Sequence, residues 1–154
     1  MAGHLTLALI KPHAHLERQS GKIMAQIEEG GFGIILGKLT QLTKEGASQF
    51  YAEHEGKEFY DNLVQTMSAG PVWTLVLTKA NAVAEWRAFI GATNPAEAES
   101  GTLRHKFGDH KNLTNNAVHG SATDHDAKRE INFFFNRDIM KAEKLDEINN
   151  EPGF

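Results

Sequence analysis

The order in which strand-like and helix-like segments alternate limits the folds open to this chain more than any other feature. Short apolar runs bounded by proline or glycine indicate buried strands. They alternate with segments whose apolar residues recur every three to four positions, as in helices. The predicted order is strand, helix, strand, helical hairpin, strand, helix, long loop, strand and helix. Four strands with two principal crossover helices predict a ferredoxin-like α/β sandwich, with a mainly antiparallel four-stranded sheet and an added helical hairpin.

Proline, glycine and helix-capping residues set the boundaries of these segments. Pro12 closes the first strand, Gly30 and Gly31 end the first helix, and Asn81 and Thr123 cap two later helices. The predicted strands are 5–11, 32–42, 72–78 and 117–118, and the predicted helices are 17–29, 43–53, 56–67, 81–91 and one that begins after Thr123. Residues 92–115 form a long polar loop, which in a compact domain is usually functional or disordered.

The length of 154 residues suits one domain with a real core. We expect this domain to cover residues 1–138, followed by a charged tail at 139–154. The absence of cysteine excludes disulfides, thiolate chemistry and cysteine-ligated metal sites. No apolar run approaches the roughly 20 residues of a membrane span, and residues 1–11 do not resemble a signal peptide. We therefore expect a cytoplasmic protein without a membrane partner.

The net charge of −4 argues against general binding to nucleic acid, although a few converging cations can still hold a phosphate. An RNA-binding domain of the same fold is one alternative. Such a domain should carry an aromatic, basic motif on its central strands. The strongest predicted strand instead begins Val-Trp-Thr-Leu at residues 72–75, so we predict no specific nucleic-acid partner.

The sequence NAVHGS at residues 116–121 is a candidate for chemistry. An apolar pair leads into His119, which is followed at once by Gly120 and Ser121. Because glycine has no Cβ, a ligand can approach closely at such a position. A histidine there can act as a nucleophile or a general base. A motif this short is weak evidence when it stands alone, since most histidines are structural or merely exposed.

Six segments spread along the chain add to this candidate. They are TLALIKP (6–12), YAEH (51–54), SAGPV (68–72), GATNPA (91–96), GTLR (101–104) and NAVHGS (116–121). In this order they resemble the nucleoside diphosphate kinase family from about residue 5 to residue 135. The resemblance implies that the γ-phosphate of a nucleoside triphosphate passes to a nucleoside diphosphate through a phosphohistidine, by a ping-pong mechanism. It also implies Mg²⁺ carried by the nucleotide phosphates, no metal site on the protein, and a homo-oligomer that is a tetramer or a hexamer.

The resemblance identifies His119 as the residue that takes the phosphoryl group. Its implied phosphate contacts are Lys11, His54, Arg87, Thr93 and Arg104. In the family the lysine also touches the sugar hydroxyl. Considered alone, each arginine is a surface charge, the lysine is a solvated strand end, and the histidine is unremarkable. Converging on one phosphate, the two arginines would act as forked hydrogen-bond donors.

Three further residues are implied neighbours of the catalytic histidine. Glu130 would accept a hydrogen bond from the ring nitrogen that does not attack, and Ser121 would help to hold that carboxylate. Tyr51 would lie beside the ring. The alternatives from the residues alone are a surface salt bridge for Glu130, a turn serine for Ser121 and a packed aromatic for Tyr51.

Phe59 and Leu63 lie four residues apart, hence on one helix face. They are either a core pair or, as the resemblance implies, the slot that stacks the base. Asn116 is either a turn residue or the ligand of the ribose hydroxyl. A non-enzymatic relative that keeps this slot for binding is a second alternative. The presence of His119 and Lys11, together with Glu130, argues against it.

The sequence departs from the family pattern at three places. His13 stands where the family usually has an acidic residue, and Ala122-Thr123 stands where it usually has Asp-Ser. The segment 104–119 is about two residues longer than usual by motif alignment. We therefore expect contacts made by residues 107–115 to be the least transferable from the family.

Overall fold

A computed structural model describes residues 3–136 of the chain. Its strands are β1 (Leu5–Ile10), β2 (Gly33–Gln41), β3 (Pro71–Thr78) and β4 (Val118–Gly120). Its helices are α1 (Pro12–Leu16), α2 (Ser20–Glu29), α3 (Lys44–Phe50), α4 (Tyr60–Ser68), α5 (Ala82–Ile90), α6 (Leu103–Phe107) and α7 (Asp124–Phe135), with a 3₁₀ turn at Ala52–His54. The predicted tail at 139–154 lies outside the described residues. No helix among the described residues is long and apolar enough to cross a membrane.

The four strands form one sheet in the order β2-β3-β1-β4, and each neighbouring pair is antiparallel. Because β1 and β2 are both antiparallel to β3 between them, they are parallel to each other, and α2 makes the crossover. The strands β3 and β4 are related in the same way, with β1 between them and α5 in the crossover. This is the predicted ferredoxin-like arrangement, and the hairpin of α3 and α4 is inserted between β2 and β3.

Helices cover both faces of the sheet, and β1 contributes to both cores. Leu7 and Leu9 pack on the side of α3, α4 and α7. Ala8 and Ile10 pack on the side of α2 and α5. Alternation of this kind is expected for a strand, whose successive side chains point to opposite faces. Each large apolar side chain buried in this way contributes about 1.5–3 kcal/mol, so β1 is a rigid support for the residues that follow it.

Two short helices lie where the sequence predicted none. Pro12 does end β1, but it also begins α1, since the fixed φ of proline suits the first position of a helix. The predicted helix at 17–29 therefore begins later, at Ser20, after a break where Arg18 has φ 62°. The helix α6 interrupts the predicted loop, and the Thr102 hydroxyl accepts a hydrogen bond from the His105 N–H near its start.

The caps were predicted with mixed success. Thr123 caps α7 as expected, because its Oγ1 accepts a hydrogen bond from the Asp126 N–H at 3.0 Å. Asn81 stands at the N-cap position of α5, but its side chain makes no capping hydrogen bond and its φ is 55°. The predicted helix at 43–53 ends at Phe50, where the 3₁₀ turn takes over.

Gly120 is required by the packing of α5 against β4. A Cβ at this position would lie 2.9 Å from Trp86 Cδ1 and 3.1 Å from Ile90 Cδ1. Trp86 is fully buried, and its indole N–H donates to the His119 carbonyl at 3.0 Å. The space beside this glycine, which we expected to admit a ligand, is therefore used by a helix that holds the main chain of His119.

We predict that Gly120→Ala lowers the free energy of unfolding by about 1–3 kcal/mol, because the added methyl overpacks the contact with Trp86. Urea unfolding followed by tryptophan fluorescence measures this at a fixed protein concentration. Gly21→Ala is the matched control, since nothing lies within 4 Å of a Cβ there. Inside α2 it should raise stability by roughly 0.5–1 kcal/mol. Equal stability of Gly120→Ala and the unmodified protein would show that the helix adjusts at no cost.

Candidate active site

A cavity of about 530 Å³ opens where the hairpin of α3 and α4 faces the ends of β1 and β4. Every predicted site residue except Ser121 lines it. Ser121 is fully buried behind Glu130. The lining residues come from segments more than 100 positions apart in the chain, so the fold brings them together. A cavity of this volume is in the range of small-molecule sites.

His119 is held at both its main chain and its ring. In the sheet it pairs with Leu9 of β1. Its Nε2 lies 2.8 Å from Glu130 Oε1. The rings of Phe50 and Tyr51 stand edge-on to the imidazole, at centroid distances of 5.5 and 6.0 Å. The side chain is still 16% exposed, so one edge of a well-oriented ring remains accessible from the cavity.

The surroundings of Glu130 decide which ring nitrogen of His119 carries the proton. Glu130 is buried, and its Oε1 also accepts a hydrogen bond from Ser121 Oγ at 2.8 Å. Arg129 Nη2 lies 3.6 Å from the other carboxylate oxygen. Because an ionised carboxylate only accepts hydrogen bonds, His119 donates through Nε2–H. The neutral ring then keeps an unprotonated, nucleophilic Nδ1.

Three cationic side chains converge on the same cavity. Lys11 Nζ donates to the Thr114 carbonyl at 3.2 Å. Arg104 donates from Nη1 to the Gly91 carbonyl and from Nη2 to the Val118 carbonyl. Arg87 is the third cation on the cavity wall.

Burial, helped by Arg104, lowers the pKa of Lys11 to about 7. Burial, followed by the charge of Arg87, lowers the pKa of Arg104 to about 10. Within residues 3–136, none of these three cations forms an ion pair with a carboxylate. Such uncompensated positive charge favours an anionic ligand.

Three buried polar atoms on the cavity wall lack a hydrogen-bond partner among the described residues. They are Tyr51 Oη, Arg104 Nε and Asn116 Oδ1. Asn116 is oriented by its Nδ2, which donates to the Thr93 carbonyl at 2.9 Å. Burial and the charge of Glu130 raise the pKa of Tyr51, so its hydroxyl stays protonated. Because buried polar groups are normally paired, this set of donors and one acceptor indicates a polar ligand.

The mouth of the cavity is apolar. Phe59 and Leu113 are 42% and 48% exposed there, whereas Leu63 is buried at the side. The ring of His54 lies 5.4 Å from that of Phe59. Large exposed apolar side chains next to a charged interior suit a ligand with one flat apolar end and one anionic end.

Sequence reasoning missed several residues of this site. Phe50 packs against the His119 ring, and Leu113 extends the apolar mouth. Thr114 contacts Lys11 through its carbonyl oxygen. Every residue has such an oxygen, so the identity of the residue does not predict the contact. Glu53 and Asp126 also line the cavity. Leu113 stands in the irregular segment 107–115, where no periodicity was available to reveal it.

Comparison with known proteins places this chain in a family. The profile described as nucleoside diphosphate kinase matches residues 4–140. The chain belongs to the nucleoside diphosphate kinase family. A relative of that name from Persephonella marina is 47% identical over 89% of this chain and 96% of its own length. Another, from Geobacter sp. strain M21, is 48% identical over 86% of this chain and 95% of its own length.

Solved structures of the nucleoside diphosphate kinase family have the same fold. The enzyme of Aquifex aeolicus matches with a TM-score of 0.82 and 35% identity, over 86% of this chain and 94% of its own. The enzyme of Halobacterium salinarum, solved in complex with CDP, matches with a TM-score of 0.81 and 34% identity, over 86% and 87% of the two chains. The family and the fold predicted from the sequence are thus confirmed.

The Tyr51 hydroxyl has no hydrogen-bond partner within residues 3–136, and this makes a test of stability possible. We predict that Tyr51→Phe raises the free energy of unfolding of the ligand-free protein by about 1 kcal/mol, because it removes this buried polar group. Tyr60→Phe is the control, since the Tyr60 hydroxyl donates to the Ser48 carbonyl and its loss should cost about 0.5–1.5 kcal/mol. If urea unfolding showed that both variants lose the same free energy of unfolding, the Tyr51 hydroxyl would have to be hydrogen-bonded in the ligand-free protein.

Proposed function

We propose that this chain acts as a nucleoside diphosphate kinase in which His119 carries the phosphoryl group between two nucleotides. The observation that carries this proposal is the convergence on one cavity of an oriented imidazole and three cations. The imidazole is held through Nε2 by the buried carboxylate of Glu130. Phosphoryl transfer is catalysed mainly by positioning and by stabilising negative charge, and this cavity offers both.

In the first half-reaction a nucleoside triphosphate binds with its base at Phe59 and Leu63, next to Leu113, and with its ribose hydroxyl at Asn116. The triphosphate then extends toward the cations. The Nδ1 lone pair of His119 forms a bond to the γ-phosphorus while the bond from that phosphorus to the β-phosphate oxygen breaks. The nucleoside diphosphate leaves with the bonding electrons, and a phosphohistidine remains.

In the second half-reaction another nucleoside diphosphate binds in the same orientation. A terminal oxygen of its β-phosphate attacks the phosphohistidine, and the P–Nδ1 bond breaks. Arg87 and Arg104 stabilise the charge on the transferring group in both directions. Lys11, His54, Thr93 and the Tyr51 hydroxyl supply further donors. Lys11 also contacts the ribose hydroxyl.

Glu130 supports the step in which the ring becomes positively charged. A carboxylate 2.8 Å from Nε2 stabilises the phosphorylated imidazolium more than the neutral ring. Ser121 holds that carboxylate by its own hydrogen bond. Because the interaction strengthens as charge builds, Glu130→Gln should slow phosphorylation of His119 more than it weakens nucleotide binding.

Mg²⁺ would reach the site on the phosphates of the nucleotide, where it neutralises negative charge. Within the described part of the chain, no group of three or more His, Asp or Glu side chains could hold a metal ion. The groups that face the phosphates, which are Lys11, Arg87 and Arg104, repel a bare cation. A bound magnesium–nucleotide complex therefore fits this donor set, and a metal held by the protein alone does not.

The proposal extends to the state of the protein in the cell. We infer a cytoplasmic homo-oligomer, a tetramer or a hexamer, with a kinase domain at 1–138 and a tail at 139–154. The edge strand β2 is partly exposed along its whole length, and Leu39 on it is 46% exposed, as expected of a surface that pairs with another subunit. Because stacking at the mouth does not read base edges, we expect weak selectivity among purine and pyrimidine nucleotides.

The central test is whether His119 takes up phosphate. After incubation with γ-labelled ATP and Mg²⁺, we expect an acid-labile, base-stable adduct that an unlabelled diphosphate removes. His119→Gln should take up no label. His125→Gln is the matched control, since His125 is exposed on α7 and does not line the cavity. Labelling of His119→Gln at the original rate would overturn the proposal.

A second test uses the protonation of Lys11. Its pKa of about 7 in the ligand-free protein should rise when a polyanion binds beside it. Below pH 7 the amine is already charged. Above pH 7, ADP binding must take up a proton, so affinity should fall by up to about tenfold per pH unit.

Calorimetry in buffers of different ionisation enthalpy, between about pH 7.5 and 9, measures the number of protons taken up while ADP itself is fully ionised. We expect uptake to approach one proton per site. In Lys11→Arg the uptake should disappear, because arginine is charged throughout this range. Equal proton uptake by the two proteins would assign the effect to another group.

A further inference from the structure

The main chain between two proposed site residues is strained. Ala117 is completely buried and has a φ of 71°, in the left-handed region that residues with a Cβ rarely adopt. The Val118 N–H donates to the Asn116 carbonyl at 2.9 Å, two residues back, so Ala117 is the central residue of a γ-turn. This form of the γ-turn is rare, and such strain costs on the order of 1–3 kcal/mol unless surrounding contacts enforce it.

The contacts that enforce the turn come from the segment that follows β1. The Ala117 N–H donates to His13 Nε2 at 3.0 Å. The Ala117 carbonyl accepts from the Lys11 N–H at 2.8 Å. Both main-chain polar groups of the strained residue are therefore occupied. One of the two bonds depends on a side chain, that of His13, which stands where the family usually has an acidic residue.

The bond to Ala117 requires the neutral form of His13. A protonated imidazole donates from both nitrogens and accepts from neither. The bond therefore exists only while Nε2 has its lone pair and the proton is on Nδ1. Burial of the half-buried ring, helped by the nearby charge of Lys11, lowers the pKa of His13. The carboxylates of Glu17 and Asp109 act in the opposite direction.

We propose that His13 is a positioning residue for phosphoryl transfer, whose neutral imidazole holds the γ-turn at Ala117 and whose protonation releases it. This inference rests on the proposed function, since the turn lies directly between Asn116 and the strand that carries His119. When His13 gains a proton, its Nε2–H faces the Ala117 N–H, and the turn loses one of its two anchors. The ribose contact of Asn116 and the alignment of His119 then both change.

The physical consequence is that enzyme activity falls at low pH because the His13 side chain becomes protonated. A displacement of the order of an ångström in a phosphoryl-transfer site can lower the rate by about 10²-fold. A carboxylate at position 13 would keep accepting hydrogen bonds down to about pH 4. The histidine loses that ability when its ring is protonated, and burial holds the pKa of that ring below the usual value for an imidazole. This chain should therefore lose activity on acidification earlier than the same chain with a non-titrating acceptor.

The test compares four proteins over a range of pH. His13→Leu removes the acceptor, and His13→Gln keeps an acceptor oxygen that does not titrate. His15→Gln is the matched control, because His15 is on the same helix but its ring contacts Ser20 and Trp73 instead of the turn. The readouts are kcat and KM for nucleoside diphosphates, together with the amide shift of Ala117 in ¹⁵N-alanine-labelled protein.

We expect His13→Leu to lose about 10- to 100-fold in kcat above neutral pH. His13→Gln should recover most of that loss and should decline at lower pH than the unmodified protein. The Ala117 amide shift should titrate in the unmodified protein and in His15→Gln, but not in His13→Gln. Melting curves of each variant establish that the losses do not come from unfolding.

A double variant separates the effect of the backbone strain from that of the hydrogen bond to His13. Ala117→Gly adopts a positive φ at little cost, so the double variant of His13→Leu with Ala117→Gly should regain activity that His13→Leu lacks. Identical acid limbs in His13→Gln and the unmodified protein would overturn the inference, as would full activity of His13→Leu. If the unmodified protein took up no label from ATP at any pH, the proposed function would fail instead.

Discussion

The structure depends on the way β1 is enclosed. Main-chain hydrogen bonds join this strand to β3 along one edge and to β4 along the other, and separate apolar cores cover its two faces. The ladder continues past the strand, where the Lys11 N–H donates to the Ala117 carbonyl. Lys11 and His119 are thus fixed relative to each other by main-chain bonds. Side-chain packing then has only to orient the two side chains. Fixed positions of this kind are the preorganisation that phosphoryl transfer requires.

The candidate site is assembled from features that lower stability. It contains a buried lysine, polar atoms on Tyr51 and Asn116 that have no partner in the part of the chain that the structure describes, and a strained residue at Ala117. Each disfavours the folded state of the ligand-free protein, and the two apolar cores offset the sum. A bound nucleotide would satisfy the lysine and the polar atoms, so binding should stabilise the fold.

Contacts among the described residues accommodate the departures from the family pattern. His13 accepts a main-chain hydrogen bond, a role that an acidic side chain can also fill, and only the pH range of the bond differs. Thr123 caps α7, so this helix still begins where Glu130 can reach His119. The segment 107–115 supplies Leu113 to the mouth of the cavity.

The sequence by itself determined the order of the strands and the principal helices, the cap at Thr123, the family and most of the residues that line the cavity. Periodicity, capping and motif spacing are local properties of the chain, so they can be recognised from the amino-acid sequence. Only the tertiary structure decided that Gly120 makes room for Trp86, that Phe50 packs on His119, and that His13 holds the turn at Ala117. These contacts join positions that are far apart in the chain or pass through main-chain atoms. The types of the residues involved do not predict these contacts, because the contacts form only when the sheet brings the segments together.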